Sequence, residues 1–234
     1  MRTKVWVEIL QKPRLKNPVA VAGSPGLRSI GKIVVDRLIE SLKPKLFARL
    51  YSYNFPVIYQ TKPSYASHPA YPGQGGITAE DGDLSLPKVE FYVSTDPKLI
   101  ITRGYHANFS GQYEVADGVI DLYKKVGVKK FVILAGYAQE GGKVCGAATD
   151  PKLMDTLRSH GVDKGYTGPF LGFSGLVLGM GMLQGIEGIC LFGRTQPNLD
   201  EPEYPDPEAA DAVTRSLETI LKVKCTPTKP MKWS

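Results

Sequence analysis

Histidine and cysteine are scarce in this chain, with three of each among 234 residues. Cys145, Cys190 and Cys225 are far apart and odd in number, which fits neither a disulfide framework nor a zinc site. They read as small buried hydrophobes in a reducing cytoplasm. No pair of histidines or carboxylates stands at metal-ligand spacing, so neither metal nor cofactor is expected. An apolar run after Met1 is also lacking. Val5, Val7 and Ile9 alternate there with Lys4, Trp6 and Glu8, the pattern of an early strand instead of a signal peptide.

A concentrated basic patch is missing too. The net charge is +6, but the lysines are scattered over helix faces, strand ends and the tail. That excess reads as solvated surface, and no nucleic-acid partner is expected. One stretch, Phe170 to Gly193, is long and apolar enough to be weighed as a membrane span. Its six internal glycines, with Gln184 and Glu187, suit a loop, a closely packed helix and a following strand instead. No membrane partner is expected.

What is present is an even spread of apolar residues, 42% of the chain, enough for one core. The reading is a single α/β domain over 1–225, a surface excursion at about 61–87 and a flexible tail over 226–234. Val19 to Ala22 predicts a strand, Gly23-Ser24-Pro25-Gly26 a turn, and Ile30, Val34, Leu38 and Leu42 a helix. Leu46 to Ser52 and Val57 to Gln60 are strand-like. The excursion, rich in proline and glycine, carries a hairpin around Asp81-Gly82. Val89 to Val93 and Leu99 to Thr102 predict strands, and Val115, Val119, Tyr123 and Val126 a helix capped by Gly127. Phe131 to Ala135 is a strand ending at Gly136, and Asp150-Pro151 opens a helix that stops at Gly161. Gly188 to Phe192 is another strand, and Asp206-Pro207 caps a last helix with Ala210, Val213, Leu217, Ile220 and Leu221 inward. Alternating strands and helices predict three layers: a mostly parallel or mixed sheet with helices on both faces.

Two catalytic patterns fail by one residue each. Gly26 to Ile33 matches a phosphate-binding loop, Gly31-Lys32 included, until Ile33 replaces the hydroxyl that would hold magnesium. Gly172-Phe173-Ser174-Gly175 lacks the closing glycine of a nucleophile elbow, because Leu176 stands there. A further pattern is a glycine at the end of four predicted strands: Gly23, Gly104, Gly136 and Gly193. In a parallel sheet those turns line one rim. Ser24, Arg103, Tyr105, His106, Tyr137, Gln139 and Arg194 then surround a crevice, and Ser24, Arg103, His106, Tyr137 and Arg194 are the groups a ligand would meet.

Four passages, read in order, resemble the proteasome-assembling chaperone family. They are Val21 to Gly26 (Gly23, Pro25 and Gly26) with Gly31-Lys32 and Tyr53 to Pro56; Leu99 to Gly104 with Gly111-Gln112 to Ala116; Val128 to Tyr137 with Gly146 to Thr149; and Gly172 to Gly175 with Gly185 to Gly193 and Asp206-Pro207 to Ala210. Together they span about 19 to 222. The resemblance, to a family widespread in archaea, implies an architecture similar to purine nucleoside phosphorylase, a homo-oligomer, and binding to proteasome α subunits during core-particle assembly. Family members dock through a carboxy-terminal hydrophobic-tyrosine-any tripeptide. Here the chain reads Lys232-Trp233-Ser234, so Trp233 and Ser234 are the implied partner-binding residues, while Lys232 puts charge where an apolar group is expected. The leading expectation is a non-catalytic proteasome assembly chaperone-like protein. The alternative is a ligase-like or phosphorylase-like enzyme, or a nucleotide-binding protein, using the glycine-rich rim.

Overall fold

The computed structural model describes residues 5–55, 77–105, 111–139, 144–168, 170, 172–200 and 204–225. Strand β1 (Val5–Ile9) is followed by β2 (Val19–Gly23), a 3-10 turn at Leu27–Ser29, helix α1 (Ile30–Leu42) and β3 (Lys45–Ser52). A small hairpin of β4 (Thr78–Glu80) and β5 (Asp83–Ser85) precedes β6 (Val89–Thr95), β7 (Lys98–Arg103) and α2 (Gln112–Lys125). Then come β8 (Lys130–Ala138), β9 (Val144–Ala148), α3 (Lys152–Arg158), β10 (Val162–Gly165), α4 (Gly172–Leu183), β11 (Glu187–Thr195) and α5 (Pro207–Leu221).

Nine strands form one mixed sheet in the order β1-β3-β6-β7-β2-β8-β11-β9-β10. The middle four, β7, β2, β8 and β11, run parallel, and their apolar sequences suit burial on both faces. An antiparallel meander of β1, β3 and β6 joins β7, while β9 pairs antiparallel with β11 and parallel with β10. Alternate side chains divide the core in two. Ala20, Ala22, Ile133, Cys190 and Phe192 pack under α2 and α4, whereas Val21, Val132, Leu134 and Leu191 pack under α1, α3 and α5. The result is the expected three-layer α/β arrangement.

Local chemistry accounts for several element ends. Asp206 caps α5, its carboxylate accepting from the Ala209 N–H at 3.0 Å, with Pro207 in the first turn. At Asp81-Gly82 both residues have positive φ, +50° and +88°, as a two-residue hairpin turn requires. The stretch weighed as a membrane span is divided between α4 and β11, and no helix among the described residues is long and apolar enough to cross a membrane.

Some boundaries differ from the sequence expectation. Gly136 and Gly193 do not end their strands: they pair with each other, and the ladder runs on through Tyr137↔Arg194 and Ala138↔Thr195. Continued parallel pairing outweighs the local preference of glycine for a turn. Two strands, β9 and β10, went unread because Val-Cys-Gly-Ala-Ala and Val-Asp-Lys-Gly carry no run of β-branched or aromatic residues. Ile9, which shares the alternation of Val5 and Val7 along β1, is exposed at the strand's end. Val57 to Gln60, most of the excursion and the tail lie outside the described residues.

Candidate functional site

The loop between β2 and α1 is the point where a phosphate cradle was conceivable, and its packing decides what it can hold. Gly23 and Gly31 stand almost in contact, so that a Cβ on Gly23 would lie 2.2 Å from the Gly31 carbonyl oxygen. A Cβ on Gly31 would lie 2.2 Å from the carbonyl oxygen of Leu134 on β8. These glycines let the first turn of α1 settle onto the ends of β2 and β8. Arg28 and Ser29 adopt left-handed φ of 54° and 51°, and the Arg28 guanidinium donates to the carbonyls of Tyr204 and Gln196 at 2.7 Å and of Pro205 at 3.4 Å. Arg28 thereby ties the loop to the segment between β11 and α5.

Lys32, which would occupy the phosphate-contacting position, is only 4% exposed and donates to Asp36 at 2.5 Å. Burial lowers its pKa, and the Asp36 carboxylate offsets this only in part. Asp36 also accepts from Arg103 at 3.3 Å. Arg103 in turn grips Glu90 through Nε at 2.9 Å and Nη2 at 2.6 Å, and reaches the Tyr92 hydroxyl at 2.7 Å. Burial pulls the Arg103 pKa down, but the charges of Glu90, Tyr92 and Asp36 outweigh it and the net shift is upward. Burial first, and Glu90 second, push Tyr92 up to about 12.

This cluster continues outward as a row of alternating charge. Glu90 is in register with both Arg103 and Arg49, and Arg49 with Glu8, which it meets at 3.4 Å. Beside the row, Trp6 stacks on Tyr51 at 5.5 Å between ring centroids and meets Tyr53 at 5.2 Å. Trp6 is 41% exposed and Tyr53 66%. Glu90, Tyr92, Arg49 and Glu8 were missed in the sequence, where only alternation along β1, β3 and β6 could have marked them; Asp36, on α1, was marked only by its place one helical turn after Lys32.

The other rim residues do not converge on one crevice. Gly104 lies at the end of β7, its N–H bonded to the Gly23 carbonyl at 2.8 Å, and Ser24 is buried against it. Arg103 faces the α1 layer. Tyr137 and Arg194 point to the opposite layer, because each follows the parity of its strand: Tyr137 packs on Tyr166 and Phe192, and Arg194 is tied to Asp163. Tyr105 is buried edge-on against Phe55, and Gln139 is exposed beyond β8. The expected common crevice is therefore two separate faces. His106, Trp233 and Ser234 lie outside the described residues.

Other motif residues take structural places. Gly111 and Gln112 begin α2, and Gly172 begins α4 with φ +76°. Ser174 lies within the first turn of α4, and Gly175 sits against the Phe170 carbonyl. Cys145 and Cys190 are fully buried and Cys225 partly so. Among the described residues no three histidine, cysteine or carboxylate side chains are grouped to hold a metal ion.

Comparison with known proteins covers nearly the whole chain. The sequence pattern of the PAC2 family matches residues 20–232. An uncharacterised protein of Methanocaldococcus jannaschii is 30% identical over 218 residues, which are 90% of this chain and 75% of that protein. Among solved structures, Pyrococcus furiosus PbaB, an archaeal proteasome activator, superposes with a TM-score of 0.78 at 26% identity, covering 96% of this chain and 92% of its own. Pyrococcus furiosus PbaA, an archaeal homolog of proteasome-assembly chaperone, gives 0.73 at 23% identity over 95% of this chain and 88% of its own.

Proposed function

The chain belongs to the PAC2 family, and from that premise we propose that it is a non-catalytic, proteasome assembly chaperone-like protein that binds proteasome α subunits. The observation that carries this reading is the likeness to PbaB, which extends over 96% of the chain at 26% identity. Supporting it, in the loop most similar to a phosphate cradle Gly23 and Gly31 serve the close approach of α1 to β2 and β8, and Lys32 is buried on Asp36. The proposal includes a homo-oligomer in the cytoplasm that offers Trp233 and Ser234 of its tail to an inter-subunit pocket of the core particle.

The test is affinity co-purification from the source cell. The full chain is expected to bring down α subunits or the core particle, and deletion of Lys232 to Ser234 is expected to abolish this. Unchanged capture after the truncation refutes docking through the tail. Heat-stabilisation of the full chain by nucleotides or nucleosides, with no capture of proteasome subunits, would move the function to the alternative, small-molecule reading.

A further inference from the structure

Most of the arginines that the structure describes are engaged within the fold. Arg28 is held by carbonyls, Arg37 by Asp211 at 2.6 Å, Arg49 by Glu8, Arg103 by Glu90 and Asp36, and Arg194 by Asp163. Arg158 and Arg215 differ, and so does Arg14, which is exposed in the segment between β1 and β2. Arg158 reaches only Asp155, at 3.7 Å with both side chains largely exposed, and Arg215 makes no ion pair among the described residues. Both arginines line one cavity of about 520 Å³, between the turn from α3 to β10 and the outer turns of α5.

The rest of that cavity is built to match. The Thr219 hydroxyl donates to the Ser216 carbonyl at 2.8 Å, so toward His160 its oxygen is the acceptor. The His160 Nδ1, 3.2 Å away, therefore carries the hydrogen, and Nε2 is the nitrogen left for a further partner. Ser216, 4% exposed, places a hydroxyl in the lining, and Val162 and Ala212 supply apolar wall. Asp163 is the one acidic residue of the lining, and its carboxylate is joined to the Arg194 guanidinium.

We propose that this cavity is a binding site for a small phosphorylated molecule, with the phosphate held between Arg158 and Arg215 and the organic part against Val162 and Ala212. Two guanidinium forks favour a phosphate dianion because each can donate two parallel hydrogen bonds to it. The volume leaves room for a body of sugar or short-chain size beside the phosphate. This site is distinct from the β2–α1 loop and from the tail, and it stands or falls independently of proteasome binding.

Inorganic pyrophosphate serves as the probe, titrated calorimetrically into the full chain at fixed ionic strength. Saturable binding of one equivalent per chain is expected. Arg158→Gln and Arg215→Gln should each weaken it by about tenfold, and the double variant by about a hundredfold, the loss typical of charge-assisted hydrogen bonds. Because both side chains lie at the surface, the variants should melt with the wild type. Lys12→Gln with Lys98→Gln, an equal loss of charge elsewhere on the surface, should bind undiminished, and succinate should bind at least tenfold more weakly than pyrophosphate. No binding by the wild type, full binding by the double arginine variant, or an equal loss in the lysine variant would each overturn the site. Succinate binding as tightly as pyrophosphate would overturn the phosphate assignment.

Discussion

Adding one methyl group at Gly31 tests whether the glycines after β2 serve packing or a ligand. The new Cβ would lie 2.2 Å from the Leu134 carbonyl oxygen, against an ordinary contact of 3.4 Å or more. Neither side can yield cheaply, since one is the backbone of α1 and the other the backbone of β8. Alanine gains up to about 1 kcal/mol over glycine in a helix. Forced overpacking of this kind costs about 1–3 kcal/mol or more, and here the displacement needed exceeds an ångström. The upper part of that range applies, so a net loss of about 2 kcal/mol is expected. For a chain of this length that is a fall of roughly 4–8 °C in melting temperature. Gly26→Ala is the internal control: φ there is 177°, open to any residue, and no atom lies within 4 Å of the new Cβ. It should be neutral or stabilising by about 0.5 kcal/mol through the unfolded chain. Thermal and urea unfolding of the two variants side by side decide the matter. If Gly31→Ala melts with the wild type, or Gly26→Ala is the more damaging, the packing argument is wrong.

Two further expectations concern buried polar groups. The Thr102 and Tyr123 hydroxyls meet at 2.7 Å with neither residue exposed; Thr102→Val should cost about 1–3 kcal/mol, and the cost of pairing it with Tyr123→Phe should be clearly less than the sum of the single losses in urea unfolding. Cys225 is pushed up to about 11, mainly by burial and then by Glu218, and Tyr92 up to about 12. The folded chain thus keeps these protons after the unfolded chain has released them, from about pH 9 for the thiol and about pH 10 for the phenol. Stability contributed by both groups falls as pH rises through that window, and Cys225→Ala and Tyr92→Phe should each flatten the slope of unfolding free energy against pH; an unchanged slope in both would refute the assignment.

The helices and central strands were legible because their apolar spacing is long and regular: Ile30 to Leu42, Val115 to Tyr123 and Phe131 to Ala135 could be little else. The order of the strands was not. Only five residues separate Val93 from Leu99, too few for a parallel crossover, so that hairpin could be read, but nothing in it says that β7 joins β2 and β6 joins β3. The glycine rim was visible as a pattern, but its physical reason, backbone against backbone at Gly23, Gly31 and Leu134, involves residues more than a hundred positions apart. For the same reason Arg103, Tyr137 and Arg194 looked like neighbours in one crevice. Their strand parity sends Arg103 to one face and Tyr137 and Arg194 to the other, which a count of residues from an uncertain strand start could not settle.

The row from Glu8 through Arg49 and Glu90 to Arg103 bears on how β1 finds its place. A slip of one residue between β1 and β3 would turn Val5 and Val7 outward, so apolar burial alone rejects every odd slip. Slips of two residues keep the faces and escape that check. Glu8 would then stand opposite Tyr51 or Phe47, and the row would lose its sign alternation. Charge thus discriminates among the even registers that hydrophobicity leaves equivalent, and the outermost strand, with one side open to solvent, is held in a single alignment by two independent criteria.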